Sequence, residues 1–320
     1  MPLSTSIALC TYNGERFLQA QLDSLLAQAQ RPDQIVIRDD VSTDRTLDIL
    51  RAFVPVAEAL GIAVDLQVNA VNSGYRLNFD GALRACTGEV IFLCDHDDVW
   101  HADKVSRFCA EFDARPDLLA LHCDAELIDG DGKALGKRLF RSLGIGEREL
   151  RRMHQGDAFN LLLKRSMVTG AAMAIRRSVL AHALPIPASG GVHDGWIATI
   201  AAMSGFVDTL PLQLICYRIH ESNQLGLGGN DVRPRHLQRQ QQLHCEQATC
   251  ADLLRRARES GASRGMQESL KLKARHVSTR STLPASRPRR LVLIVRELLT
   301  GNYHRFGRGV LSAAADLAGR

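Results

Sequence analysis

Aromatic side chains are scarce, at 5% of the 320 residues, which argues against a stacking platform for single-stranded nucleic acid. No CxxC pair occurs among the 8 cysteines, and most of them lie in apolar stretches, where Cys behaves as a small hydrophobe. That usage fits a reduced, cytosolic compartment. Long hydrophobic runs are missing as well: the longest in the C-terminal part, Leu291 to Val295, is far too short to cross a bilayer. The chain does not open on a charged segment followed by an apolar run, so no secretory signal is expected. A glycine-rich fingerprint after the first strand is absent too, since Thr11-Tyr12-Asn13-Gly14 stands there, and this argues against a dinucleotide-dependent oxidoreductase.

What is present is an alternation of strand and helix signals. The apolar run Ser6 to Cys10 breaks at the turn cluster Thr11 to Gly14. Phe17, Leu18, Leu22, Leu25 and Leu26 follow at helical spacing. Gln34 to Arg38, Ala63 to Val68 and Glu89 to Leu93 read as further strands, with a helix capped by Ser42, Thr43 or Asp44 and running through Leu50 to Phe53, and another from Asn78 to Ala85. This order predicts an α/β fold with a mainly parallel sheet flanked by helices. In such sheets ligands bind outside the carboxyl ends of the strands, where Thr11 to Gly14, Asp39 to Asp44 and Asp95 to Asp98 all fall. Later strands are expected at Leu119 to Cys123, Met167 to Ile175, Phe206 to Leu210 and Gln213 to Tyr217. Gly226 to Gly229 reads as a hinge, Arg235 to Ser260 and Met266 to Thr279 as helices, Pro284 to Pro288 as a linker, and Leu291 as the start of a last helix. The domain reading is a main domain over 1–226, with halves at 1–117 and 118–226, and a basic, mostly helical extension over 227–320.

Three clusters carry chemistry. Asp95, Asp97 and Asp98 follow an apolar strand, and carboxylates so close repel one another unless a cation intervenes. A hard divalent ion, Mg²⁺ or Mn²⁺, resolves that and leaves positions open for diphosphate oxygens; a solvated acidic turn is the plain alternative. Asp40 ends another strand, where a carboxylate can meet a pyrimidine N–H or a ribose hydroxyl, or simply cap a helix. Asp194, before an apolar helix, reads equally as a cap or as a general base. His220, after the strand ending at Tyr217, is a lone histidine whose role the spacing leaves open.

Taken together, these stretches resemble family 2 of the inverting nucleotide-sugar glycosyltransferases, which have the GT-A fold. The matching residues are Ala8 to Glu15, Gln21 to Leu25, Arg38-Asp39-Asp40 with Ser42 to Asp44, and Asn72-Ser73-Gly74 with Asn78-Phe79. Cys94 to Trp100 with Lys104, His193 to Trp196, and Tyr217 to His220 with Asn223 and Gly226 complete the series. Leu22-Asp23-Ser24, the Asp-x-Asp-Asp-x-Trp run from Asp95 to Trp100, and the Tyr-Arg-x-His run from Tyr217 to His220 look most like the rhamnosyltransferase-type members that build bacterial surface polysaccharide. The resemblance implies that Thr11, Tyr12, Asn13, Asp40 and Asp95 hold the nucleotide. It implies further that Asp95 and Asp97, with Asp98 as a participant and His220 assisting, hold the metal, and that Asp194 is the catalytic base. The implied donor is a dTDP- or UDP-linked sugar, with rhamnose favoured, and the acceptor a hydroxyl of a glycan or lipid-linked molecule. Two departures stand out: His96 replaces the usual Gln, and Gly195 replaces a bulky aromatic, which would widen the acceptor pocket.

The formal net charge of +5 is unevenly placed, with Arg255, Arg256, Arg258, Lys271, Lys273, Arg287, Arg289 and Arg290 crowding the C-terminal third. These residues read either as solvated faces or as a dock for an anionic membrane surface. The expected location is therefore the cytoplasm, peripheral on the inner face of the cell membrane, with no nucleic-acid partner. Phosphohydrolases with an aspartyl nucleophile need a different continuation from Asp98-Val99-Trp100. A non-catalytic nucleotide- or carbohydrate-binding module is the remaining alternative; it would share the Asp40 edge and have no need of Asp194.

Overall fold

The computed structural model describes residues 3–188, 192–221 and 235–318. Nine strands form one sheet: β1 (Thr5–Thr11), β2 (Gln34–Asp39), β3 (Ala63–Val68), β4 (Val90–Asp95), β5 (Val99–Trp100), β6 (Leu118–Ile128), β7 (Ala134–Arg138), β8 (Met173–Arg176) and β9 (Phe206–Arg218). Their spatial order is β3-β2-β1-β4-β8-β6-β9-β5, with β7 attached to β6. The first four are parallel; β8 runs antiparallel to both β4 and β6, and β9 is parallel to β6. Val90 to Cys94 and Ile35 to Ile37 are fully buried, as expected of strands covered on both faces. Helices Leu18–Leu26 and Lys104–Ala114 supply Leu22, Leu25, Phe108 and Phe112 to the same core.

Register brings the acidic strand ends level. Thr11 lies opposite Asp39, and Cys10 opposite Asp95. The loops beyond are stitched together by short polar side chains. Asn13 N–H donates to Ser42 Oγ (2.9 Å), Gly14 N–H to Thr46 Oγ1 (2.8 Å) and Glu15 N–H to Asp44 Oδ2 (3.0 Å). Asp44 Oδ1 also accepts from Thr46 N–H, which satisfies an open donor at the start of helix Thr46–Ala59.

Several elements differ from the sequence expectation for local reasons. The helix runs on through Pro55 because Ala57 keeps its inner face buried. Residues 167–172 are not strand; Gly170–Ala172 forms a 3₁₀ turn ahead of β8. The two strands expected after Phe206 are one, and its pairing with β6 jumps at Pro211, a residue that cannot donate to the ladder. Pro288 lies in the first turn of helix Arg287–Leu299, where a missing N–H costs nothing, so the expected linker is helix there. Asn223 and the Gly226 to Gly229 hinge lie outside the described residues.

Two compact units emerge. The first takes 3–158, 167–186 and 193–221, and the second 159–166, 187–188, 192 and 235–318. The second holds helices Arg235–Glu259, Arg264–Ser281, Arg287–Leu299, Asn302–Phe306 and Val310–Leu317. Among the described residues no helix is long and apolar enough to cross a membrane.

Val41 sits in the loop after β2 with φ of 65°, a left-handed conformation that is costly for a β-branched residue. Val41→Gly is expected to stabilise the protein by about 1 kcal/mol, raising the thermal midpoint by about 2 °C. A lower midpoint in a melting experiment would show that side-chain contacts outweigh the backbone strain.

Candidate active site

The site is built from the carboxyl ends of β1, β2 and β4, closed by the far end of β9. The two-residue strand β5 pairs with β9, Val99 opposite Cys216, and this brings the 218–220 segment against the acidic loop. Arg218 N–H donates to Asp98 Oδ1 (2.9 Å) and Arg218 Nε to the Asp97 carbonyl (2.7 Å). His220 Nε2 lies 3.0 Å from Asp97 Oδ2, and its ring packs on Phe17 at 4.6 Å. His96 presses against Gly14 so closely that a Cβ there would lie 2.5 Å from the imidazole, which ties the β1 loop to the acidic one.

The carboxyl groups are not equivalent. Burial and the neighbouring charges of Asp97 and Asp194 push Asp95 up to about 7, against the pull of Lys104. Asp98 is driven up further by burial and by Asp97 and Asp95; its Oδ2 is buried without a hydrogen-bond partner among the described residues. Burial opposes ionisation of Asp97 as well, but the hydrogen bond from His220 and the charges of His96 and His220 hold it below the usual carboxylate range. Lys104 is fully buried beneath them. Its ammonium donates to the Ala171 carbonyl (2.6 Å) and sits 3.5 Å from the centre of the Trp100 ring. Burial lowers it to about 8 despite the attraction of Asp98 and Asp95.

Asp194 lies in the first turn of helix His193–Ser204 and is 8% exposed. Gly170 N–H donates to its Oδ2 (2.9 Å) and Gly195 N–H to its Oδ1 (2.5 Å). Burial pushes its carboxyl up to about 6, although both hydrogen bonds act the other way. Beside it, His193 stacks on Phe79 at 4.0 Å, with neither ring nitrogen partnered among the described residues. Burial lowers this imidazole to about 3, so it is neutral.

The residues expected to hold a nucleotide fall into two groups. Thr11 Oγ1 donates to Asp39 (2.8 Å), and Asn13 Oδ1 accepts from Thr43 N–H (2.8 Å). Asp40 accepts from Asn69 Nδ2, Ser73 N–H, Ser73 Oγ and Gly74 N–H at 2.7–3.0 Å. Burial opposes its ionisation, yet these donors together hold it below the usual range. Three of these donors meet Oδ1 and only Gly74 N–H meets Oδ2, so Asp40 shapes the loop leading into helix Tyr75–Ala85 while Oδ2 keeps room to accept a further hydrogen bond. Tyr12, by contrast, points outward, 36% exposed. Asp95 joins the acidic cluster and is felt by Cys10, which also feels Asp40, so the nucleotide and acidic edges adjoin. Sequence reasoning missed Gly170 and took Lys104 only as part of the family match; their contacts span 24 and 67 positions.

Among the described residues no three His, Cys, Asp or Glu side chains form a ready metal cage. Mg²⁺ and Mn²⁺ need less from a protein, commonly one or two carboxylates with phosphate and water completing the shell. The crowded Asp95 and Asp97 and the orphaned oxygen of Asp98 fit that requirement.

Residues 6–184 match the Glycosyl transferase family 2 domain, more than half of the chain. The chain belongs to glycosyl transferase family 2. An uncharacterized glycosyltransferase of Nostoc sp. is 30% identical over 231 residues, 69% of this chain and 66% of that protein. The dTDP-rhamnosyl transferase RfbG of Shigella flexneri is 25% identical over 231 residues, 68% of this chain and 73% of that one. Mycobacterial relatives are matched over only 58% of their length, so the chain spans less than two thirds of the first relatives it matches. The mannosyltransferase PcManGT of Pyrobaculum calidifontis, solved with GDP-Man and Mn²⁺, superimposes with a TM-score of 0.60 at 19% identity, covering 100% of this chain and 85% of that one. That likeness establishes the GT-A fold.

The raised carboxyls make a test. A carboxyl whose folded pKa is raised stabilises the fold at low pH and loses that contribution as pH rises through the folded value. Asp95→Asn should therefore stabilise the metal-free protein more at about pH 8 than at about pH 5.5. His122 and His193, both lowered to about 3, pull total stability the other way, so the difference between variant and parent in urea unfolding is the quantity to read. A difference independent of pH would remove the case for a raised Asp95.

Proposed function

We propose that this chain is an inverting glycosyltransferase moving a sugar, rhamnose favoured, from a dTDP- or UDP-linked donor to a hydroxyl of a glycan or lipid-linked acceptor. Bacterial surface polysaccharide synthesis is the setting we infer, on the cytoplasmic side of the membrane. The observation that carries the reading is the buried Asp194, held by two backbone N–H groups and close enough to Asp95 to raise that carboxyl. A binding module needs no such base. The likeness to a dTDP-rhamnosyl transferase supports the sugar and the nucleotide.

In this mechanism Asp194 takes the proton from the acceptor hydroxyl as its oxygen attacks the anomeric carbon. The bond from that carbon to the diphosphate oxygen breaks on the opposite face, and the electron pair leaves with the nucleoside diphosphate. Gly170 and Gly195 N–H groups fix the carboxylate, so its lone pair needs no reorganisation during transfer. Asp95 and Asp97 would hold Mg²⁺ or Mn²⁺, which when bound neutralises charge on the leaving diphosphate. His220 fixes the orientation of Asp97, and Lys104 limits the charge of the cluster from below. Tyr12 and the backbone of the 11–14 and 40–44 loops would line the nucleotide.

The test follows nucleoside diphosphate release from dTDP-, UDP- and GDP-sugars with Mg²⁺ or Mn²⁺ and membrane lipid extract. Asp194→Asn should lower kcat by about 10²–10⁴-fold while nucleotide binding persists. Asp97→Asn should weaken metal-dependent nucleotide binding itself. Binding without turnover in the parent protein, under full acceptor supply, would favour the non-catalytic module.

A pH profile adds an independent check. Asp194 accepts a proton only when ionised, so kcat/KM should rise through about pH 6 with a one-proton slope and then level off. A profile flat from about pH 5 to 8 would exclude Asp194 as the base.

A further inference from the structure

Helix Arg287–Leu299 of the second unit has two apolar faces. Ile294 is buried with Tyr303 and Ala313, and Leu283 and Leu298 pack on that small core. On the other side Leu291, Val292, Val295 and Leu299 are 45%, 67%, 41% and 84% exposed. Their spacing puts them in one stripe along the helix. Helix Val310–Leu317 packs against this helix and leaves Val310 and Leu311 more than 60% exposed. Six large aliphatic side chains on two neighbouring short helices exceed the single exposed apolar residues of an ordinary surface.

The charges around the stripe carry one sign. Between 282 and 318 the sequence holds six arginines and two acids, Glu297 and Asp316. Both acids are turned inward. Glu297 Oε2 meets His276 Nδ1 (2.5 Å) and accepts from Asn302 (3.0 Å). Asp316 is 5% exposed, paired with Arg239 and Arg280, and accepts from the Tyr303 hydroxyl. Arg287, Arg289, Arg296 and Arg308 remain exposed. The basic residues of the preceding helices are spent differently: Arg255 and Arg256 pair with Asp252 and Glu259, Lys271 with Glu268, and Lys273 with Glu246.

We propose that the Leu291-Val292-Val295-Leu299 stripe, with Val310 and Leu311, docks into the headgroup layer of an anionic lipid bilayer. The aliphatic side chains enter the interface while the flanking arginines meet lipid phosphates, the arrangement of an amphipathic helix lying in the membrane plane. A second copy of the chain fits poorly, because a two-fold contact would set these arginines against their own images.

The full chain is tested by flotation with vesicles of phosphatidylglycerol and phosphatidylcholine, and of phosphatidylcholine alone. Binding should favour the anionic vesicles. Arg289→Gln and Arg296→Gln should each weaken it about fivefold, and the combined Leu291→Ser, Val292→Ser, Val295→Ser, Leu299→Ser variant about tenfold or more. All of these side chains are exposed, so thermal midpoints should stay put and separate lost docking from lost folding. Failure of the parent chain to float with anionic vesicles overturns the proposal, as does a stripe variant that binds like the parent. A parent dimer by light scattering that the stripe variant dissolves, without vesicle binding, assigns the face to a second copy instead.

Discussion

Asp95, Asp97, Asp98 and Asp194 gather at one end of the sheet, Asp98 and Asp194 buried and Asp95 and Asp97 half-buried. Like charges at such separations cannot all ionise in a medium of low dielectric. The fold answers with unequal treatment. Asp97 keeps its charge through His220, while Asp98 is driven toward its neutral form. Asp95 and Asp194 are left poised near neutrality, at about 7 and about 6. Four equally charged carboxylates would repel one another; the unequal surroundings lower Asp97 and raise the other three.

That grading depends on features remote in sequence. The β5–β9 pairing delivers His220 to Asp97, and the Gly170–Ala172 turn serves two masters at once. Its Gly170 N–H holds Asp194, and its Ala171 carbonyl holds the ammonium of Lys104. A shift of this turn would therefore disturb both Asp194, the proposed base, and the buried ammonium of Lys104. The 3₁₀ conformation is what frees those two backbone groups, since a strand would have spent them on the ladder.

The parallel half of the sheet was readable because its signals are local. Strands β1, β2 and β4 are short buried runs that end in turn-forming or acidic residues, β3 is a half-exposed edge strand, and their parallel pairing places those ends together. Asp95, Asp97 and Asp98 stand out for the same reason, whereas Asp194, in the first turn of a helix, reads equally as a cap until its hydrogen bond from Gly170 is seen. Asp40 shows the limit: its position at the strand end was clear, but Asn69, Ser73 and Gly74, which donate to it, are 29 to 34 residues away. Lys104 shows the limit more sharply. Helical spacing alone cannot tell a lysine in the first turn of Lys104–Ala114 from a solvated one, because its burial depends on Trp100 and Ala171.

Counting charges misleads in the second unit for a related reason. Its basic residues look equivalent in sequence, yet pairing separates them into two populations. Arg255, Arg256 and Lys271 have acids three or four residues away, the spacing at which helical side chains meet, while Lys273, Arg239 and Arg280 pair with acids remote in sequence. On helix Arg287–Leu299 the one acid, Glu297, is claimed from inside by His276, so Arg289 and Arg296 have no local acid to turn to. Burying a single carboxylate thus does more than close the small core around Ile294: it leaves the outer surface of that helix with one sign of charge beside its apolar stripe. The positive charge that matters for a partner is what remains after internal pairing, and on helix Arg287–Leu299 the side chains of Arg287, Arg289 and Arg296 leave such a remainder beside the exposed apolar ones.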